Sequence, residues 1–120
     1  MSMEREVREA LKRLGYPVVW GAFDKEVDFP RITLQRISNV TDYALKGRSN
    51  VETARVQVNV ASKTYGALLT LVPQISQTLT DLRGGSVIRI KELSRRDALT
   101  ETGGEVIRQQ MLDMQVRYRA

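Results

Sequence analysis

The run Val51-Glu52-Thr53-Ala54-Arg55-Val56-Gln57-Val58-Asn59-Val60-Ala61 alternates with a period of two. Ala54, Val56, Val58 and Val60 share one face, while Arg55, Gln57 and Asn59 share the other. In a strand, successive side chains point to opposite faces, so this run predicts a strand with one face buried and one polar. Directly after it the period changes. Ser62 reads as the cap of a long helix to about Leu82, with Tyr65, Leu68, Leu69, Val72, Ile75, Leu79 and Leu82 as its apolar stripe. Pro73 lies inside this helix, where a missing N–H should remove one backbone bond and kink it. Gly84-Gly85 ends it.

Working outward, Arg31 to Ser38 predicts a second strand, with Ile32 and Leu34 on one side and Thr33 and Gln35 on the other. Asn39 to Asn50 reads as a loop or an extended hairpin tip, with Lys46 to Asn50 as turn material. Toward the N-terminus, Val18 to Trp20 is a short strand candidate, and Trp20 a core or interface anchor. Gly21 to Pro30 reads as a polar loop. Met3 to Leu14 carries Met3, Val7, Ala10, Leu11 and Leu14 at helical spacing. Ser2 is its N-cap, Glu4 and Glu6 sit at the positive end of its dipole, and Gly15 and Pro17 stop it.

Toward the C-terminus, Ser86 to Leu93 predicts a strand and Ser94 to Gly104 a polar loop. Glu105 to Arg119 predicts a long final strand with Val106, Leu112, Met114, Val116 and Tyr118 on one face, interrupted near its start by Arg108 and Gln110. Met111 and Met114 fall on opposite faces. The fold class is therefore α+β: a mostly antiparallel sheet of about four to five strands, packed by an N-terminal helix and a long central helix. With 120 residues, a single domain over 1–120 is expected.

Composition narrows the function classes. Histidine and cysteine are both absent, which removes the commonest general base, the thiol nucleophile, disulfides and thiolate metal sites. No Gly-rich loop is followed by Lys-Ser/Thr, so a P-loop is unsupported. Asp24, Glu26 and Asp28 alternate like the first ligands of a calcium loop. Phe29 and Gln35 then stand where that loop needs Gly and Glu, so a solvated loop is the better reading. Asp97 and Glu101 are read as exposed loop charges rather than an acid/base pair. No catalytic, metal or cofactor site is expected, and an enzyme is disfavoured. No apolar run approaches the roughly 20 residues of a membrane helix, and Met1 to Glu6 lacks the order of a signal peptide. The expected compartment is the cytosol or a particle assembled there.

The net charge is +5, the pI near 9.9, and arginine outnumbers lysine. Such a surface serves solubility, or proximity to nucleic acid or an acidic partner. Acidic residues are interspersed throughout, and no basic run exceeds Arg95-Arg96. Aromatic residues make up 6% of the chain, too few for a stacking platform for nucleic acid.

One order of segments points further. Pro30 to Ser38 is followed by Asn39 to Gly47, then by the Ala54-Arg55-Val56-Gln57-Val58 strand, a helix led by Tyr65, and a long strand ending in Tyr118-Arg119. This resembles, over nearly the whole chain, the tail-completion (tail-terminator, head-to-tail joining) family of long-tailed phages and gene-transfer particles. Two positions depart from the family pattern. Pro73 stands where the family helix usually runs through alanines, and Leu99 to Gly104 keeps the Thr-Gly of the last link but lacks its proline.

The resemblance implies a non-enzymatic virion protein, assembled in the host cytoplasm, at the head-proximal end of the tail. It implies a homo-oligomeric ring, a hexamer in expectation, that ends polymerisation of the tube protein and docks the head-tail connector. It also implies double-stranded DNA passing through the lumen, and it favours a non-contractile tail. A head-closure or neck protein on the portal side is the nearest alternative; a basic nucleic-acid-binding module is the alternative of another class. Within the ring reading, Arg108, Asp113, Arg117 and Arg119 on the final strand are candidates for ion pairs between subunits. Arg95 and Arg96, with Asp97, are candidates for the lumen, and Tyr43, Lys46 and Arg48 for contact with tube or connector.

Overall fold

The computed structural model describes residues 2–25, 27–44 and 47–120, with side-chain surroundings for all of these except Asp42, Tyr43, Ala44, Arg48, Ser49 and Thr102. The elements follow one another as α1 (Met3–Lys12), β1 (Val18–Trp20), β2 (Arg31–Ala44), β3 (Gly47–Ser62), α2 (Tyr65–Thr80), β4 (Val87–Thr102) and β5 (Glu105–Arg119). The strands form one sheet in the order β1-β2-β3-β5-β4. Only the β1–β2 pairing is parallel. The α+β expectation and its two helices hold.

Each helix forms for local reasons. The Ser2 side chain accepts a hydrogen bond from the Arg5 amide at 3.3 Å, which satisfies one of the orphan donors of α1. The cap of α2 is Thr64 rather than Ser62: its hydroxyl accepts from the Ala67 amide at 3.3 Å. Ser62 instead ends β3, and its hydroxyl accepts from the Thr64 amide at 3.3 Å. The helix continues through Pro73, which is exposed. Its solvent side lets water take the carbonyl that the proline leaves unpaired.

Both helices pack on one face of the sheet. Met3, Val7 and Leu11 of α1 and Leu68, Leu71, Val72, Ile75 and Leu79 of α2 are buried in one cluster with Ile32, Leu34, Val56, Val58, Leu112 and Met114. Fully burying one such side chain is worth about 1.5–3 kcal/mol, so this layer holds the fold. Trp20 packs at its margin, where its indole N–H donates to the Glu4 carbonyl at 2.8 Å. Glu6, 8% exposed, anchors α1 to the start of β4: its carboxylate accepts from the Ser86 amide at 2.9 and 3.1 Å and from the Ser86 hydroxyl.

The strands are longer than the hydrophobic pattern predicts. Within Asn39 to Asn50, the described residues 39–44 and 47–50 are strand, the second of the two expected forms. Ser94 to Thr102 is not a loop but the far half of β4, paired residue by residue with Asp113 to Glu105. Gly103 and Gly104, with φ of +59° and +83°, make the two-residue turn.

Candidate interaction surfaces

The two hairpins overhang the sheet in opposite directions. The central β3–β5 ladder runs from Val51↔Arg119 to Ser62↔Arg108. The β2–β3 hairpin continues beyond the Val51 end, and the β4–β5 hairpin beyond the Ser62 end. At about 3.4 Å per residue, each ribbon reaches roughly 10–14 Å past its last central partner. The molecule is accordingly elongated, 57 × 26 × 23 Å. A lone two-stranded ribbon is marginal in water, so such arms are candidate contact surfaces.

Exposed apolar side chains mark the β4–β5 arm and, separately, the β2 side of the central sheet. Leu99 (65% exposed) and Val106 (40%) lie on the helix side of the β4–β5 arm. Nearby, Tyr65 and Leu69 of α2 are also exposed, and the Tyr65 hydroxyl donates to Asp97 of β4 at 3.2 Å. Toward the other arm, Val40 (61%) pairs with Thr53 on the helix-free face, and Ile37 sits in a bulge beside it. The two patches differ in position and in face, so they can meet each other between copies without either meeting itself.

The outer strands are open but irregular. β4 has no partner on its outer side among the described residues, and β1 covers β2 only at Ile32 to Leu34. Register shifts occur at Val87/Arg89 and Glu92/Ser94 in β4 and at Arg36/Ser38 and Thr41/Tyr43 in β2; the β3–β5 ladder has none. Bulges at an edge blunt strand addition. The longest regular stretch open on β4 is therefore Ser94 to Thr102.

The pairing also assigns every candidate residue to a face. Asp113, Arg117 and Arg119 lie on the helix-free side of β5, and Asp113 is taken by an ion pair with Arg55 of the same chain. Arg108 does not join them: it pairs with Ser62, on the helix side, and is half-buried. The reason is parity, since residues an odd number apart in a regular strand point oppositely. Arg95 and Arg96 separate for the same reason. Arg95 lies on the helix side and donates to Glu92 at 2.7 and 3.3 Å, whereas Arg96 lies over Met111 on the helix-free side. Asp97 accepts from Tyr65 and, at 2.8 Å, from the buried Gln110 amide, so it ties α2 to both strands. Tyr43 and Arg48 are paired along the backbone near the β2–β3 tip. Their side-chain contacts, and Lys46 and Glu26 altogether, lie outside the described residues.

At the Val51 end, Tyr118 is 6% exposed and its hydroxyl donates to Asn39 at 2.8 Å. Burial pushes this hydroxyl above its ordinary value near 10; Arg36 lowers it and Glu52 raises it further. Among the described residues no group of three metal-ligating side chains converges, and no helix is long and apolar enough to cross a membrane.

The fold combines projecting hairpins, two unlike apolar patches and a sheet with helices on one face only. The chain belongs to the family described as "Tail completion protein gp17", whose model matches residues 5–120. That family is structural and not enzymatic. Among solved structures 31 chains match. One, in a structure described as "Virion of native gene transfer agent (GTA) particle", is 12% identical, with a TM-score of 0.75 over 99% of this chain and 96% of that one. At that identity the likeness shows the fold. No curated protein matches.

Proposed function

We propose that this tail-completion protein works as a closed ring of identical copies, six in expectation, at the head-proximal end of the tail tube. There it ends polymerisation of the tube protein, offers a docking face to the head-tail connector, and leaves a lumen for DNA. The observation that carries the reading is the opposed overhang of the two hairpins. A ring needs a heterologous interface, in which one patch of each copy meets a different patch of the next. The Leu99/Val106 patch on one arm and the Ile37/Val40 patch toward the other supply such a pair. Arg108 and the open Ser94 to Thr102 edge flank the first patch, and Tyr43 and Arg48, on the opposite arm, are with Lys46 the candidates for tube or connector contact.

Native mass spectrometry of the purified chain tests the reading against the double variant Leu99→Glu/Val106→Glu. The unaltered chain gives one closed oligomer. The variant gives monomer with an unchanged melting temperature, because both side chains are exposed within the chain. A variant that assembles as the unaltered chain does removes this arm from the interface.

A further inference from the structure

The sheet is polarised in charge. Its helix-free face carries Arg31, Arg55, Arg89, Lys91, Arg96 and Arg117, joined at the end of β5 by Arg119. Over the central ladder Asp113 is the carboxylate that faces them among the described residues, and Arg55 pairs with it; Arg117 has a further interaction within the chain, while Arg89 and Lys91 are exposed. The helix side of the same strands carries Glu52, Glu92, Asp97 and Glu101 against Arg36, Arg95 and Arg108. The focus of the basic face is local. Arg89 stands directly opposite Arg117, Lys91 follows two residues along the same face, and Thr53 and Gln115 complete the rim of a shallow depression of about 170 Å³. Arg89 and Lys91, both exposed and two residues apart on one face, present two cations to an anion above it.

We infer that the helix-free face of the sheet, centred on Arg89, Lys91 and Arg117, is the surface that meets the phosphate backbone of double-stranded DNA. The side chains around the cations decide between DNA and an acidic protein. Around Arg89, Lys91 and Arg117, Thr53 and Gln115 are hydrogen-bonding and short or flexible, and β3, β4 and β5 place no described aromatic on this face; the apolar Ile37 and Val40, and Phe29 against Arg31, lie at its β2 side. Protein interfaces are enriched in aromatics and depleted in lysine at their centre. Phosphate contacts use Arg, Lys, Thr, Asn and Gln and need no base-reading group. The inference rests on the ring reading for its setting, with this face turned to the lumen; contact with phosphates does not itself require the ring.

Fluorescence anisotropy of a labelled duplex of about 30 bp, titrated with the full chain at about 50 and about 200 mM NaCl, tests it. Four cations on phosphates predict a fall in affinity of roughly 100-fold over that salt range. Arg89→Gln/Lys91→Gln weakens binding at the lower salt by about 10-fold or more and flattens the salt slope by about 2. Arg5→Gln/Arg13→Gln, the same charge change on the exposed side of α1 and its cap, leaves both nearly unchanged. Absence of binding by the unaltered chain at the lower salt, or equal losses in the two variants, overturns the assignment. If DNA is not bound and Arg89→Gln/Lys91→Gln instead loses the oligomer in native mass spectrometry, the face is a contact between copies and the assignment fails. A monomeric chain that shows the predicted DNA binding leaves the assignment standing and removes the ring.

Discussion

Arg89 and Arg117 face each other as direct cross-strand partners of β4 and β5, on the side of the sheet that no helix covers. Arg117 has a further interaction within the chain, but two guanidinium groups in register still repel. Such a pair costs about 0.2–1 kcal/mol in an exposed ladder. Arg89→Thr should therefore raise stability by a few tenths of a kcal/mol. Urea unfolding at low and high salt checks it: the gain shrinks as salt screens the repulsion.

Glu6 and Gly85 should be energetically coupled. Gly85 has φ +56°, and a Cβ there would collide with the Glu6 carboxylate that holds Ser86. Glu6→Ala leaves the Ser86 amide without its charged acceptor and costs about 2–3 kcal/mol. Gly85→Ala costs a similar amount by displacing the same carboxylate, plus about 1 kcal/mol of backbone strain. Because both changes break one contact, the double variant should lose clearly less than the sum. Denaturant unfolding of the four proteins gives the coupling; additive losses contradict it.

Tyr118 should make the fold sensitive to alkali. Its hydroxyl is held above the ordinary value near 10, first by burial. The folded state therefore favours the neutral phenol. Its contribution is fully present below the unfolded value and is lost as pH rises from about 10 through the raised folded value. Tyr118→Phe should cost about 1 kcal/mol at neutral pH, through the lost bond to Asn39. It should also flatten the fall in stability above pH about 10. Melting temperatures at neutral and alkaline pH read out both effects.

Pro73 should be a stability reserve. It lies on the exposed side of α2 and makes no N–H available to the helix. A proline inside a helix costs about 3 kcal/mol relative to alanine, less where water and bending relieve it. Pro73→Ala should thus stabilise the chain by about 1–3 kcal/mol, seen as a higher melting temperature with the oligomer unchanged.

What the sequence revealed of the fold follows burial. The Val51 to Ala61 alternation, the Leu68, Val72, Ile75 and Leu79 part of the α2 stripe and the Met111/Met114 split are legible because one face of each element is apolar and packed, whereas Tyr65 and Leu69 of that stripe are exposed and Leu71 is buried in their stead. The arms are not, because neither of their faces joins the core. Leu99, Thr100 and Glu101 alternate without an apolar period, so Ser94 to Thr102 reads as a loop although it is strand.

The polarised sheet was hidden for a related reason. Lys91-Glu92 and Arg96-Asp97 are neighbours of opposite sign, which makes the charge look evenly spread along the chain. Strand parity sends each partner to a different face. Arg89/Lys91 and Arg117/Arg119, each two residues apart, are the signal that could have been read once β4 and β5 were taken as strands.

Copies of this chain are proposed to close the end of a tail tube. Electron microscopy of tube protein polymerising with and without the purified chain tests it most directly. Tubes should stop lengthening, each with a ring at one end only. Tubes that keep growing in its presence, or chain spread along the tube wall with neither end capped, would contradict it.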